Sequence, residues 1–161
     1  MLEIIESWDH RTRLRVFSSV GGSMFALAWW LMVDAAVFVD VQDEPLKLGP
    51  LLWLPGVGST LTFMIVVFMD WDALYADELT HFRAAETKMS ARAILALAIG
   101  LGVSSLLGAV YILVVVYAGH RGVDGNLPDS VYPGMAIFLQ TLLLFVGAFV
   151  MRLGRLEVGY D

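Results

Sequence analysis

The sequence contains no cysteine. Disulfides, thiolate metal sites and thiol catalysis are thereby excluded, while the redox state of the compartment is left open. Charge is scarce as well: charged residues make up 16% of the chain against 58% hydrophobic residues, and the mean hydropathy is +0.74. That balance is too apolar for a water-soluble domain and points to a membrane. The charge that remains leans acidic, with a formal net charge of −6 and no cluster of Lys and Arg. Phosphate binding needs such a cluster, so nucleic acid is not an expected partner. The phosphate-binding glycine loop, the paired-histidine zinc motif and the nucleophile elbow are all missing from the sequence, and no tract is of low complexity.

What is present is long apolar runs. A bilayer core of ~30 Å needs about 20 apolar residues in a helix, and residues 16–39, 51–69, 93–118 and 131–153 meet or approach that length. The expected fold is all-α, an integral membrane four-helix bundle forming one membrane domain over 1–161. Span 2 carries Pro55, Gly56 and Gly58 in its first turns, so a kink or a late start is expected there. Span 1 is too long and too far from the start for a cleavable signal peptide, and Glu3, Glu6 and Asp9 argue against a mitochondrial transit sequence. It reads as a retained anchor. Residues 1–15 place Leu2, Ile5 and Trp8 at helical spacing among charges, which suits an interfacial helix. Basic residues fall at Arg11, Arg13 and Arg15, at Arg83, Lys88 and Arg92, and at Arg152 and Arg155, against only Lys47 and Arg121 in the other connections. This asymmetry predicts cytosolic termini and a cytosolic 70–92 loop.

Within that loop Asp70, Asp72, Asp77, Glu78 and His81 read as an exposed charged face rather than a metal site, and Trp71, Leu74, Leu79 and Phe82 offer apolar contacts. No catalytic residue, metal site or cofactor is expected. Span 3 places Ala96, Gly100, Ser104 and Gly108 four residues apart, and span 1 has a lesser series at Ser18, Gly22 and Ala26. Small residues let backbones approach, the usual packing device where lipid removes the hydrophobic drive between helices. The spacing leaves open whether these stripes serve packing within the chain or against a partner.

Asp34 lies in an apolar run close to the far end of span 1. An ionised Asp at a helix centre costs ~2.5–3.5 kcal/mol on insertion scales and less near an interface. Tyr111 reaches a similar depth and offers a hydroxyl donor to it, with a neighbouring backbone group as the alternative, while Gln140 lies deeper and can both donate and accept. Two readings compete: a packing bond, or a proton- or cation-coupled transport site centred on Asp34. The absence of companion charges in the central turns of spans 3 and 4 favours the packing bond.

The stretches AWWLMVDAAV (28–37), SARAIL (90–95), SSLLGAVYIL (104–113), VYPGMAIFLQ (131–140) and GAFVMRLGRLE (147–157) resemble the transmembrane protein fifty family of small tetraspanning proteins, which includes a fungal vacuolar protein sorting factor. The matching positions are Trp29, Trp30, Asp34, Tyr132, Pro133, Gly134, Gln140, Arg155 and Glu157. Where this chain has Tyr111 the family has Trp, also a donor. Span 2 and the 70–92 loop fall outside the resemblance. The resemblance implies four helices, an endomembrane location from endoplasmic reticulum through Golgi to late endosome, no catalytic residues, and protein sorting alongside a second small membrane protein. A non-enzymatic adaptor or complex subunit, with membrane lipids around it, is the leading expectation. A supernumerary subunit of a larger membrane complex, attached through the 70–92 loop, and the Asp34 transporter are the alternatives.

Overall fold

The computed structural model describes residues 10–69, 82–119, 121–123 and 125–154. Four helical rods cross the molecule: α1 (His10–Val41), α2 (Pro50–Phe68), α3 (Phe82–Tyr111, continuing as a π-helix over Ile112–Ala118) and α4 (Tyr132–Leu153). All four are long and apolar enough to cross a membrane. Among the described residues no strand forms, and an isolated bridge pairs Val123 with Asn126. The chain is therefore an all-α integral membrane protein.

Two boundaries differ from the sequence expectation. Residues 10–15 continue α1 without a break, so no separate interfacial helix occurs there; residues 1–9 lie outside the described set. At 32 residues α1 is about 48 Å long at ~1.5 Å per residue, well beyond a bilayer core. The expected 70–92 loop is likewise shorter, because Phe82 to Arg92 belongs to α3. Intrahelical bonding carries both rods past the apolar run, because nothing in RTRLR or FRAAETKMSAR breaks a helix. The loop acids, His81 and the apolar positions up to Leu79 lie outside the described residues.

The ends of the helices follow local chemistry. Past its last turn α1 gives way to Asp43 at φ 50, the left-handed region that Asp tolerates. Pro50 opens α2 and Pro133 opens α4 at first-turn positions, where a missing N–H leaves no bond unmade. Pro55 lies inside α2, yet the helix starts at Pro50 and runs to Phe68, so no late start occurs.

Helix α4 is the hub. It packs most extensively on α1, then on α2 and on α3, while α2 and α3 pack on each other. On α1 the inward face runs Gly21, Phe25, Ala28, Met32, Ala35, Val39, alternating steps of four and three as in a left-handed bundle seam. The backbones of α1 and α4 meet where both carry glycine. A Cβ on Gly21 would collide with Met151, and one on Gly147 would lie 3.3 Å from the Met24 Cβ. A polar bond joins α2 to α3: the Thr62 hydroxyl, shared with the Gly58 carbonyl one turn back, donates to the Ala98 carbonyl at 3.2 Å.

One end of the bundle carries the 42–49 and 119–131 connections and is called the short-loop end. There Leu46 folds inward onto Met32, Leu52, Ile112, Val116, Tyr117 and Ile137. Glu44 is buried beside it, and its carboxylate accepts the Asp129 N–H at 3.1 Å, tying the two connections together. At the other end α1 begins and α4 finishes, with Gly154 against Phe17.

Candidate functional site

Asp34 stands on the outer surface of α1, and its carboxylate accepts a hydrogen bond from the Tyr132 hydroxyl at the start of α4. Phe38, one turn on, meets the Tyr132 ring edge-on at 5.0 Å between centroids. The expected donor, Tyr111, is 60% exposed and does not supply this bond. The reason is the packing order: α1 lies along α4, whereas α3 pairs with α2 and α4 and turns Tyr111 outward. In the sequence Tyr132 stands out only as a position of the family resemblance. Its hydroxyl reaches Asp34 because α4 packs along α1, which brings the Tyr132 ring against Phe38 one turn from the carboxylate. Trp30 shares the outer face of α1 and is 72% exposed, while Trp29 is half-buried. A conduction path through the bundle needs its carboxylate inside, and Asp34 faces the other way.

Gln140 does point inward. It is 1% exposed, and neither its Nε2 nor its Oε1 has a hydrogen-bond partner among the described residues. The amide lies flat against α2 at Gly56, where an added Cβ would stand 2.6 Å from Oε1. Gly56 is therefore the groove into which Gln140 fits. It is separate from the Asp34 and Tyr132 pair, so the three expected polar residues do not converge.

Gly134, in the first turn of α4, has a distinct partner. A Cβ on Gly134 would lie 2.7 Å from the Tyr117 ring, so this glycine makes room for that ring to pack on α4. Tyr117 is turned inward by the π-helical stretch Ile112–Ala118, in which bonding from i to i+5 widens the turn and stacks residue 117 over residue 112. Sequence periodicity at an α-helical repeat misses this, and no local residue signals it. Arg155 and Glu157 lie outside the described residues.

The stripe on α3 faces outward. Ala96, Gly100 and Ser104 are exposed, and Gly108 is half-buried with Pro55 nearby. A Cβ on Gly100 would meet nothing within 4 Å. The helix packs instead through Ala98, Gly102, Ser105 and Ala109, which are buried. A Cβ on Gly102 would press into Phe145 at 2.7 Å and Thr62 at 2.9 Å. Beside the outward stripe a cavity of about 220 Å3 opens between α2 and α3, lined by Leu54, Pro55, Ser104, Ser105 and Gly108. On α1 the lesser series behaves alike, with Ser18 and Ala26 exposed and Gly22 clear of any neighbour. Among the described residues no group of His, Asp and Glu is placed to hold a metal ion.

The model of UPF0220, described as an uncharacterised protein family, matches residues 3–160. The chain belongs to UPF0220. A Dictyostelium discoideum protein named transmembrane protein 50 homolog is similar to it, 26% identical over 147 residues that cover 88% of this chain and 90% of the relative. Both findings agree with the resemblance to the transmembrane protein fifty family, and they extend it across span 2 and the 70–92 segment. No solved structure matches. Of the positions that carry the resemblance, Asp34 and Tyr132 meet across α1 and α4, Trp30 shares the exposed side of α1, and Gln140 and Gly134 serve contacts inside the bundle.

Proposed function

We propose that this protein is a non-enzymatic subunit or adaptor of a membrane complex, joined to another membrane protein through helix contacts, and acting in endomembrane protein sorting. The observation that carries the reading is the outward stripe Ala96, Gly100, Ser104 on α3, which the chain's own helices leave uncovered. Steps of four among small residues favour close, right-handed crossings, whereas seams that alternate three and four favour the left-handed packing of bundles. On both α3 and α1 the alternating seam faces inward and the step-of-four series faces out. A second helix laid on the outward series would find backbone it can approach closely. Support for sorting, in the route from late endosome to vacuole or lysosome, comes from the family resemblance alone.

The test is extraction of the full chain in mild detergent, followed by size-exclusion chromatography and mass spectrometry. Wild-type protein should carry a stoichiometric membrane partner, and Gly100→Leu should shed it while unfolding at the wild-type temperature. A monodisperse lone chain, or a Gly100→Leu variant that keeps its partner, removes the reading. Residence of the tagged protein at the cell surface rather than on endosomal membranes removes the sorting part.

A further inference from the structure

Between α1 and α2 at the short-loop end lies an open cavity of about 410 Å3. Its wall is apolar, built from Ala36 and Val37 on α1, Leu48 in the connection and Trp53 on α2. The indole is held in place, its Nε1–H donating to the Leu48 carbonyl at 3.2 Å. Two exposed charged residues, Asp40 and Lys47, complete its lining. Because α1 ends at Val41 and α2 begins at Pro50, these two stand where two spans leave the apolar run. That is the level of lipid headgroups.

The two charged lining residues call for opposite charges in a ligand. Asp40 sits in the last turn of α1, where the negative end of the helix dipole already lies, and that turn holds no basic residue. A carboxylate there is unfavourable until a cation joins it. Lys47 pairs with Asp43 at 3.2 Å, but both side chains are largely exposed, so the pair is weak and open to exchange for a phosphate. Asp40 and Asp43 outweigh Lys47, which disfavours a headgroup of net negative charge. The complement is a ligand with an apolar tail, one phosphate and one ammonium. A primary ammonium donates hydrogen bonds to a carboxylate, whereas a choline has no N–H to give.

We propose that the groove between α1 and α2 binds a phosphatidylethanolamine-class lipid, its ammonium on Asp40, its phosphate on Lys47 and an acyl chain along Val37 and Trp53. The site is distinct from the outward stripe on α3 and does not depend on any partner protein.

The experiment is native mass spectrometry of the full chain in mild detergent with equimolar dioleoyl phosphatidylethanolamine, phosphatidylcholine and phosphatidylglycerol. Ethanolamine lipid should be retained over choline lipid by roughly threefold to tenfold, the size of one charge-assisted hydrogen bond gained, with the glycerol lipid weakest. Asp40→Asn should bring the ethanolamine-to-choline ratio close to one. Lys47→Gln should weaken both lipids and leave their ratio unchanged, because both carry the phosphate. Val37→Trp should lower occupancy by every lipid at an unchanged unfolding temperature. Equal retention of all three lipids by the wild type, the mark of unspecific annular lipid, overturns the proposal. So does an unchanged ratio in Asp40→Asn; should that variant misfold, an unchanged occupancy in Lys47→Gln and Val37→Trp overturns it equally.

Discussion

Two small-residue faces run along α3, and they have opposite fates. Ala98, Gly102, Ser105 and Ala109 are buried against α2 and α4, while Ala96, Gly100 and Ser104 look out from the bundle. The chemistry of the two sets is nearly the same, so composition did not sort them. Their spacing did. A seam that alternates three and four stays on one side of a helix that wraps a left-handed bundle, whereas a strict step of four drifts away from it. Helix α1 repeats the pattern with Gly21, Ala28 and Ala35 inside and Ser18 and Ala26 outside. In lipid the inside of a bundle is marked by close approach rather than by apolarity, and a glycine matters only where a neighbour occupies the space its side chain would fill.

The sharpest way to break this comparison is to load each face with the same bulky residue. Gly102→Leu should lose about 3 kcal/mol or more of stability, since its side chain must displace Phe145 and Thr62. Gly100→Leu should stay within about 0.5 kcal/mol of wild type in the isolated chain. Unfolding in detergent followed by circular dichroism would measure both. Similar losses for the two variants would show that the faces are wrongly assigned.

A second contrast sets the inward polar residue against the outward one. Replacing Gln140 by Leu removes two unpartnered buried amide atoms and nearly conserves shape, so it should be neutral or stabilise by about 1 kcal/mol. A marked loss would mean that the amide has a partner, such as a bound water. Outward, Tyr132→Phe deletes the bond to Asp34 and should have the smallest effect, about 0.6 kcal/mol, the mean for side-chain bonds in membranes. A double-mutant cycle with Asp34→Asn isolates it. The companion cycle with Tyr111→Phe should give no coupling, and coupling there would restore Tyr111 as the donor.

Much of the fold was legible because membrane crossing is a matter of length and composition. Spans 2 and 4 fall within one residue of Pro50–Phe68 and Tyr132–Leu153, where prolines mark the starts. The starts of α1 and α3 were not legible, because a helix leaving the membrane keeps its own hydrogen bonds and shows no change of pattern. Among the polar residues, the oddity of Asp34 was visible, and so was its need for a donor. The donor itself was misassigned, since depth along two helices says nothing about which helices are neighbours. Glu44 and Leu46 gave little sign of their burial, since one leucine amid DEPLK is a faint apolar signal for the inward fold it makes.

By itself the sequence determined that the chain spans a membrane four times and belongs with small tetraspanning proteins, because each of its four apolar runs is long enough to cross the hydrocarbon as a helix that bonds its own backbone. The tertiary structure alone decided which faces meet. It put α4 at the centre, gave Tyr132 rather than Tyr111 to Asp34, turned Tyr117 inward through a π-helical stretch and left one small-residue stripe of α3 uncovered. The physical reason is that in lipid every face of these helices is apolar, so a residue's type does not place it inside or outside. Only the shape of the neighbouring helix does.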